Sequence, residues 1–165
     1  MTRTRRLDST GGPALLVRPL RDGDTETVLA VFRRLSERSR RLRFNGPKPR
    51  LSELELEQLA RADSTHHALV AYAANDPLPV AIARRVDDGR SAEVAFAVVD
   101  AYQQLGIGSA LTTELLADAR AAGITEITAL VASDNDAAVA LLRRVLSVLE
   151  IRFGGPELSV RAAIG

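Results

Sequence analysis

The sequence predicts an α/β (α+β) domain, a mixed, mostly antiparallel sheet of about seven strands flanked by about four helices. Three observations point there. The runs HALVAYAAN (67–75), PVAIARRV (79–86) and AEVAFAVV (92–99) succeed one another across short polar turns, the signature of a meander. Between and around them lie segments whose apolar residues recur at helical spacing, such as Val28, Val31, Phe32 and Leu35. At 165 residues and 46% hydrophobic, the chain is long enough for one layered core and too apolar to stay unfolded.

In chain order, residues 1–12 (MTRTRRLDSTGG) read as a flexible tail, and a single domain is expected over 13–165. ALLVRPL (14–20) reads as a strand, and RDGD turns the chain, with Asp24 as the N-cap of a first helix. Six arginines between Arg33 and Arg43 face one acid, Glu37, and GPKP (46–49) breaks the chain. Ser52 and Glu55 form a capping box and Leu51 with Leu56 a hydrophobic staple, so a second helix starts near residue 53. The meander follows, with Asn75 and Asp76 in its first turn. Ile107, Leu111 and Leu115 then make a helical stripe that Gly123 ends as a C′ glycine. TEITALVA (125–132) is a strand, SDNDAAVALLRRVLSVL a helix, and IRFGGPELSVRAAI a closing hairpin.

Composition narrows the chemistry. There is no cysteine, which removes disulfides, thiolate nucleophiles and a covalent cysteine intermediate. The net charge of +1 gives no footprint for nucleic acid, and the arginine-rich stretch lacks interleaved aromatics beyond Phe44. No apolar run approaches the ~18 residues of a membrane helix. The N-terminus is basic without an apolar h-region. A cytoplasmic monomer or homodimer that engages neither membrane nor nucleic acid is expected. His66 and His67 are adjacent on a strand and should point to opposite faces, and no further ligand cluster accompanies them, so no metal is expected. Tyr72 reads as core packing, whereas Tyr102 stands beside the glycine loop. Lys48, the only lysine, lies between Pro47 and Pro49, which should hold it extended and exposed.

The stretch DAYQQLGIGSAL (100–111) joins a strand to a helix through two glycines one residue apart. A P-loop would end in Gly-Lys-Ser/Thr, and no lysine is present here. A dinucleotide fingerprint would need glycine where Leu111 stands. What remains is Q-x-x-G-x-G: Gln103, Gly106 and Gly108 at a helix N-terminus, where free amides and the helix dipole suit a pyrophosphate. A glycine-rich turn shaped by close packing is the alternative.

This loop, in this element order, resembles the acetyl-CoA-binding motif of the GNAT superfamily of N-acetyltransferases. The matching stretch is AEVAFAVVDAYQQLGIGSAL, followed by the strand TALVASDN and the helix that begins at Asn135. Within the superfamily, VRPLRDGD, LSERSRRLRF, HALVA and ALVASDN look most similar to bacterial Pat-like protein lysine acetyltransferases. The resemblance spans about residues 14–164 and implies acetyl-CoA as co-substrate and an amine acceptor, a protein lysine above all. It implies that Gln103 opens the coenzyme motif and that the amides of Gln104, Leu105, Gly106, Ile107, Gly108 and Ser109 hold the pyrophosphate. The backbone of Phe96 and Val98 would pair with the pantetheine arm, with Asn135 facing that arm or capping its helix. Glu93 falls where protein-acetylating members keep a glutamate as general base; a strand-end acid paired with Arg84 or Arg85 is its other reading.

The sequence departs from the family in three places. Gln104 and Leu105 replace the arginine and extra glycine common in the loop, so one charge on the phosphates is missing. Leu142 stands where a general-acid tyrosine is often found, and Leu146 with Ser147 where a glycine-phenylalanine pair often follows. These departures leave open acetylation of a small amine or an N-terminal amino group, and a non-catalytic acyl-CoA-binding module.

Overall fold

The computed structural model describes residues 3–147 and 149–165, and Met1 and Thr2 of the expected tail lie outside them. One sheet holds eight strands: β1 (Arg5–Leu7), β2 (Leu15–Pro19), β3 (His66–Ala73), β4 (Ala81–Asp88), β5 (Ser91–Val98), β6 (Glu126–Ala132), β7 (Glu150–Gly154) and β8 (Glu157–Ala163). Their spatial order is β1-β2-β3-β4-β5-β6-β8-β7. Every pairing is antiparallel except β5 with β6. Five α-helices pack on it: α1 (Thr25–Arg33), α2 (Glu37–Phe44), α3 (Glu53–Leu59), α4 (Ile107–Ala121) and α5 (Asp136–Val145).

The mixed, mostly antiparallel architecture is as expected, with one more strand and one more helix. The extra strand lies in the expected tail. Arg-Arg-Leu is too short and polar to show a strand period, yet Arg5–Leu7 pairs with Val17–Leu15. Arg5 also binds Glu114 and Asp118 of α4, anchoring this edge through side chains more than a hundred residues away. The extra helix arises because the arginine-rich segment is not one continuous helix with its predecessor. Leu35 is buried, and Ser36 leaves helical geometry (φ −66°, ψ 165°) to accept from the Ser39 amide, so α2 begins afresh.

Elsewhere local chemistry acts as anticipated. Asp24 accepts from the Thr27 amide, both arms of the Ser52–Glu55 capping box form, and Gly123 at φ 87° follows α4. The main core lies between the sheet and the α4 and α5 layer, around Ile107, Leu111, Leu115, Ile127 and Leu142, each 1% exposed or less. A smaller core, with Val28, Ala60, Ala68 and Val70, seals α1 and α3 against the other face.

Two features of the sheet position the site. The β5–β6 ladder is short: Ser91, Ala92 and Glu93 pair with Glu126, Ile127 and Thr128, and the register stops there. Beyond Glu93 the strands part, and β5 from Val94 to Val98 is paired only with β4. Across the opening lies α2, joined to the ends of both strands. Asp100, after β5, accepts from the Ser36 amide, the Ser36 hydroxyl and the Ser39 hydroxyl at 2.8–3.0 Å. Asp134, after β6, accepts from Arg41 at 2.9 Å.

Candidate active site

The glycine loop begins with a 3-10 turn, Asp100–Tyr102, and passes through Gln104 at φ 62° and Gly106 at φ 79° into α4. Left-handed backbone at Gly106 favours glycine. The contacts require it as well: a Cβ there would lie 2.8 Å from the Thr10 carbonyl oxygen. At Gly108 a Cβ would lie 2.8 Å from Leu141 Cδ1 and 3.3 Å from Val98 Cγ2. A Cβ at Gly12 would likewise lie 2.6 Å from the Leu105 carbonyl oxygen. Close packing against the chain's own N-terminal segment and α5 is therefore a real reason for these glycines. The segment around Thr10 buttresses the loop, a contact no local sequence signal announced.

Packing and anion binding do not exclude each other, because they use different atoms. Among the described residues, no hydrogen bond to a protein group is found from the amides of Leu105 to Ser109. They sit in and before the first turn of α4, where no intrahelical carbonyl is available. Ile107 illustrates the division: its side chain is 1% exposed in the core, while its amide faces the helix end. Leu105 is half-buried and packs on the same core. A cationic side chain also reaches the loop. Arg144, in the last turn of α5, lies 3.5 Å from the Ser109 hydroxyl through Nη1. That guanidinium brings a positive charge to the first turn of α4.

Gln103, at the start of the motif, braces the loop through its side chain. Its amide nitrogen donates to the Val98 carbonyl at 2.9 Å and to the Ser39 hydroxyl at 3.1 Å, tying loop, strand and α2 together. One lone pair of the Val98 carbonyl is thus already engaged. Phe96 and Val98 sit half-buried on the α4 face of β5 and pack against the core. Asn135 caps α5, its side chain accepting from the Ala138 amide at 3.2 Å.

Glu93 lies on the opposite face of β5 from Ala92 and Val94, exposed, at the apex where β5 and β6 part. Its neighbours there are arginines. Arg84, beside Ala95 on β4, and Arg43 of α2 both feel the Glu93 charge, yet neither forms an ion pair with it within 4 Å. Arg85 points to the other face, 2% exposed and paired with Asp87 at 3.0 Å, so it is no partner for Glu93. The two histidines diverge as expected. His66 faces the cleft and lies 2.9 Å from Asp63, while His67 is exposed on the other side, 4.0 Å from Asp87.

Three residues weighed from sequence have structural partners. Tyr72 accepts from Arg18 at 2.8 Å. The Tyr102 hydroxyl donates to Asp76 at 2.9 Å, and that hydrogen bond raises its pKa above the usual phenol value. Lys48 is not freely exposed: it is half-buried and pairs with Glu55 at 2.7 Å, which holds the Glu55 carboxyl below its ordinary value. Leu142 is fully buried, so no proton donor stands at its position.

The structure thus brings an open strand edge, a helix N-terminus with unengaged amides and an exposed carboxylate to the place where β5 and β6 part. Residues 31–147 match the acetyltransferase (GNAT) family, and the chain belongs to it. The chain is similar to the GNAT domain of S. lividans PAT, at 25% identity and a TM-score of 0.86, over 99% of this chain and 97% of that one. It also resembles a cAMP-binding acyltransferase from Mycobacterium smegmatis (24% identity, TM-score 0.70), but over 99% of this chain and only 48% of that one. The present chain thus spans about half of that protein's length. The PaiA N-acetyltransferase of Thermoplasma acidophilum, solved with coenzyme A, shares the fold at 17% identity and a TM-score of 0.67, over 91% of this chain and 99% of that one.

Proposed function

We propose that this chain transfers an acetyl group from acetyl-CoA to a primary amine, a protein lysine side chain, by direct attack with Glu93 as general base. The observation that carries this reading is the position of Glu93: exposed, at the last register pair before the strands part, on the face of the sheet opposite α4. The lysine acceptor is supported by the Pat-like motifs and the likeness to the S. lividans PAT domain.

The residues present fit the coenzyme. The unengaged amides from Leu105 to Ser109 suit a pyrophosphate, and Arg144 adds a positive charge beside them. The edge of β5 left unpaired by β6, at Phe96 and the Val98 amide, suits an extended pantetheine arm, and the family resemblance puts Asn135, which caps α5, beside that arm. Acetyl-CoA, when bound, supplies an activated acetyl thioester. The acceptor ammonium has an ordinary pKa of about 10.4, so it must lose a proton before its nitrogen can attack. Glu93 accepts that proton, directly or through a water. With Leu142 buried and the Tyr102 hydroxyl committed to Asp76, the departing thiolate takes its proton from solvent.

The test is a panel of lysine peptides, small amines and N-terminal peptides incubated with acetyl-CoA, read both as free thiol released and as acetylated product mass. Product on the lysine ε-nitrogen is the expected result. Acetyl-CoA binding without thiol release on any acceptor would instead identify an acyl-CoA-binding module.

A further inference from the structure

Beneath α2, on the Glu93 face of the sheet, lies an open cavity of about 450 Å³. Arg43 and Phe44 of α2, Arg61, His66 and Arg84 contribute to its walls. Most charges around it are already matched. Glu55 is bound by Lys48 at 2.7 Å and by the Ser52 amide. Arg61 and His66 both lie against Asp63, at 3.0 and 2.9 Å. Arg43 and Arg84 are different. Both are half-buried, and among the described residues neither has a carboxylate within 4 Å. Arg43 rests over the Phe44 ring at 4.7 Å, which orients the guanidinium without neutralising it.

Two partly desolvated guanidiniums in one wall are unfavourable without a counter-charge. Burial, and then the repulsion of Arg84, pulls Arg43 down to about 10, with Glu93 acting in the opposite direction. Burial likewise lowers Arg84, again opposed by Glu93. Both remain cationic at neutral pH. Two positive charges against the single negative charge of Glu93 leave one unmatched, which suits a carboxylate better than a dianionic phosphate.

We propose that the acceptor presents a carboxylate to Arg43 and Arg84, so that the preferred substrate is an amine carrying one negative charge near its nucleophilic nitrogen. This rests on amine transfer at Glu93 and names the acceptor class for that site. An amine with no anion is repelled by the two guanidiniums in its ammonium form, and one with a carboxylate is held by them.

The carboxylate has two possible sources, a small amino-acid-like molecule or an acidic side chain beside a protein lysine. Two matched pairs separate them while keeping the same ε-amine: Nα-acetyl-lysine against Nα-acetyl-lysinamide, and a lysine peptide with glutamate beside the lysine against its glutamine counterpart. In wild-type protein the charged member of at least one pair should have the larger kcat/KM by roughly ten- to hundredfold, the scale of a charge-assisted hydrogen bond. Arg84→Gln and Arg43→Gln should each bring that ratio close to one, with the larger fall in kcat/KM on the charged member. Calorimetric titration of the same pairs into acetyl-CoA-loaded Glu93→Gln protein reads the preference without turnover. Equal kcat/KM and equal affinity for charged and neutral members would overturn the proposal, yet leave amine transfer standing. A charge preference in binding without any thiol release from wild type would uphold anion recognition and count against the transfer reading.

Discussion

On the α4 side of β5 the groups poised for a ligand are main-chain amides, from Leu105 to Ser109, and a free strand edge. On the opposite side they are side-chain ends: Glu93 from β5, Arg84 from β4 and Arg43 from α2. A binding surface made of backbone tolerates wide change in side chains, provided the turn that exposes the amides survives. A surface made of side-chain ends changes with every substitution, and its character is set by which elements happen to face each other. On the proposed reading the coenzyme side is built of backbone and the acceptor side of side-chain ends, and the two meet at Glu93.

Glu93→Gln separates the two sides most strongly. If the two sides are separable, this variant keeps its affinity for acetyl-CoA and loses turnover by about 10²–10⁴ near neutral pH. The loss should shrink as pH rises, because free amine becomes more abundant as the ammonium pKa is approached. Calorimetry and a thiol-release assay on one preparation measure both halves. Full activity at pH 7 would return Glu93 to the role of a strand-end acid.

A smaller effect is expected at Arg144. It is exposed, so its charge is screened, and Arg144→Ala should weaken acetyl-CoA binding by roughly two- to fivefold at low salt and by less at high salt. Affinity that is insensitive to both the substitution and salt would remove Arg144 from the coenzyme side.

How much of this was legible in the sequence follows the same division. Helix caps and turns are local, so Asp24, the Ser52–Glu55 box and Gly123 were readable from residues within one turn of each other. The Gly106–Gly108 loop was readable as a tight strand-to-helix turn, because its glycine spacing is the signal. What the loop's glycines touch was not readable, since Thr10 and Leu141 come from distant segments. The strand Arg5–Leu7 was missed because three polar-rich residues show no alternation and are held by Arg5 reaching α4. The break before α2 carried a signal that the arginine run obscured: Ser36 is a good N-cap, with Glu37 in the first turn after it. The pairing of Arg43 with Arg84 needs the packing of α2 on the sheet, which no periodicity encodes. Lys48 was misread because its flanking prolines describe the backbone and say nothing of Glu55 one helix onward.

On the proposed reading, main-chain groups of the glycine loop and the free edge of β5 hold the coenzyme. Amide hydrogen exchange with and without acetyl-CoA tests it directly. In the free protein the amides from Leu105 to Ser109 lack protein acceptors and should exchange quickly. With acetyl-CoA they should slow, together with amides of Val94–Val98, while those of α2 around Arg43 change little. Protection confined to the Arg43 and Arg84 cleft, with 105–109 and 94–98 unchanged, would contradict the claim.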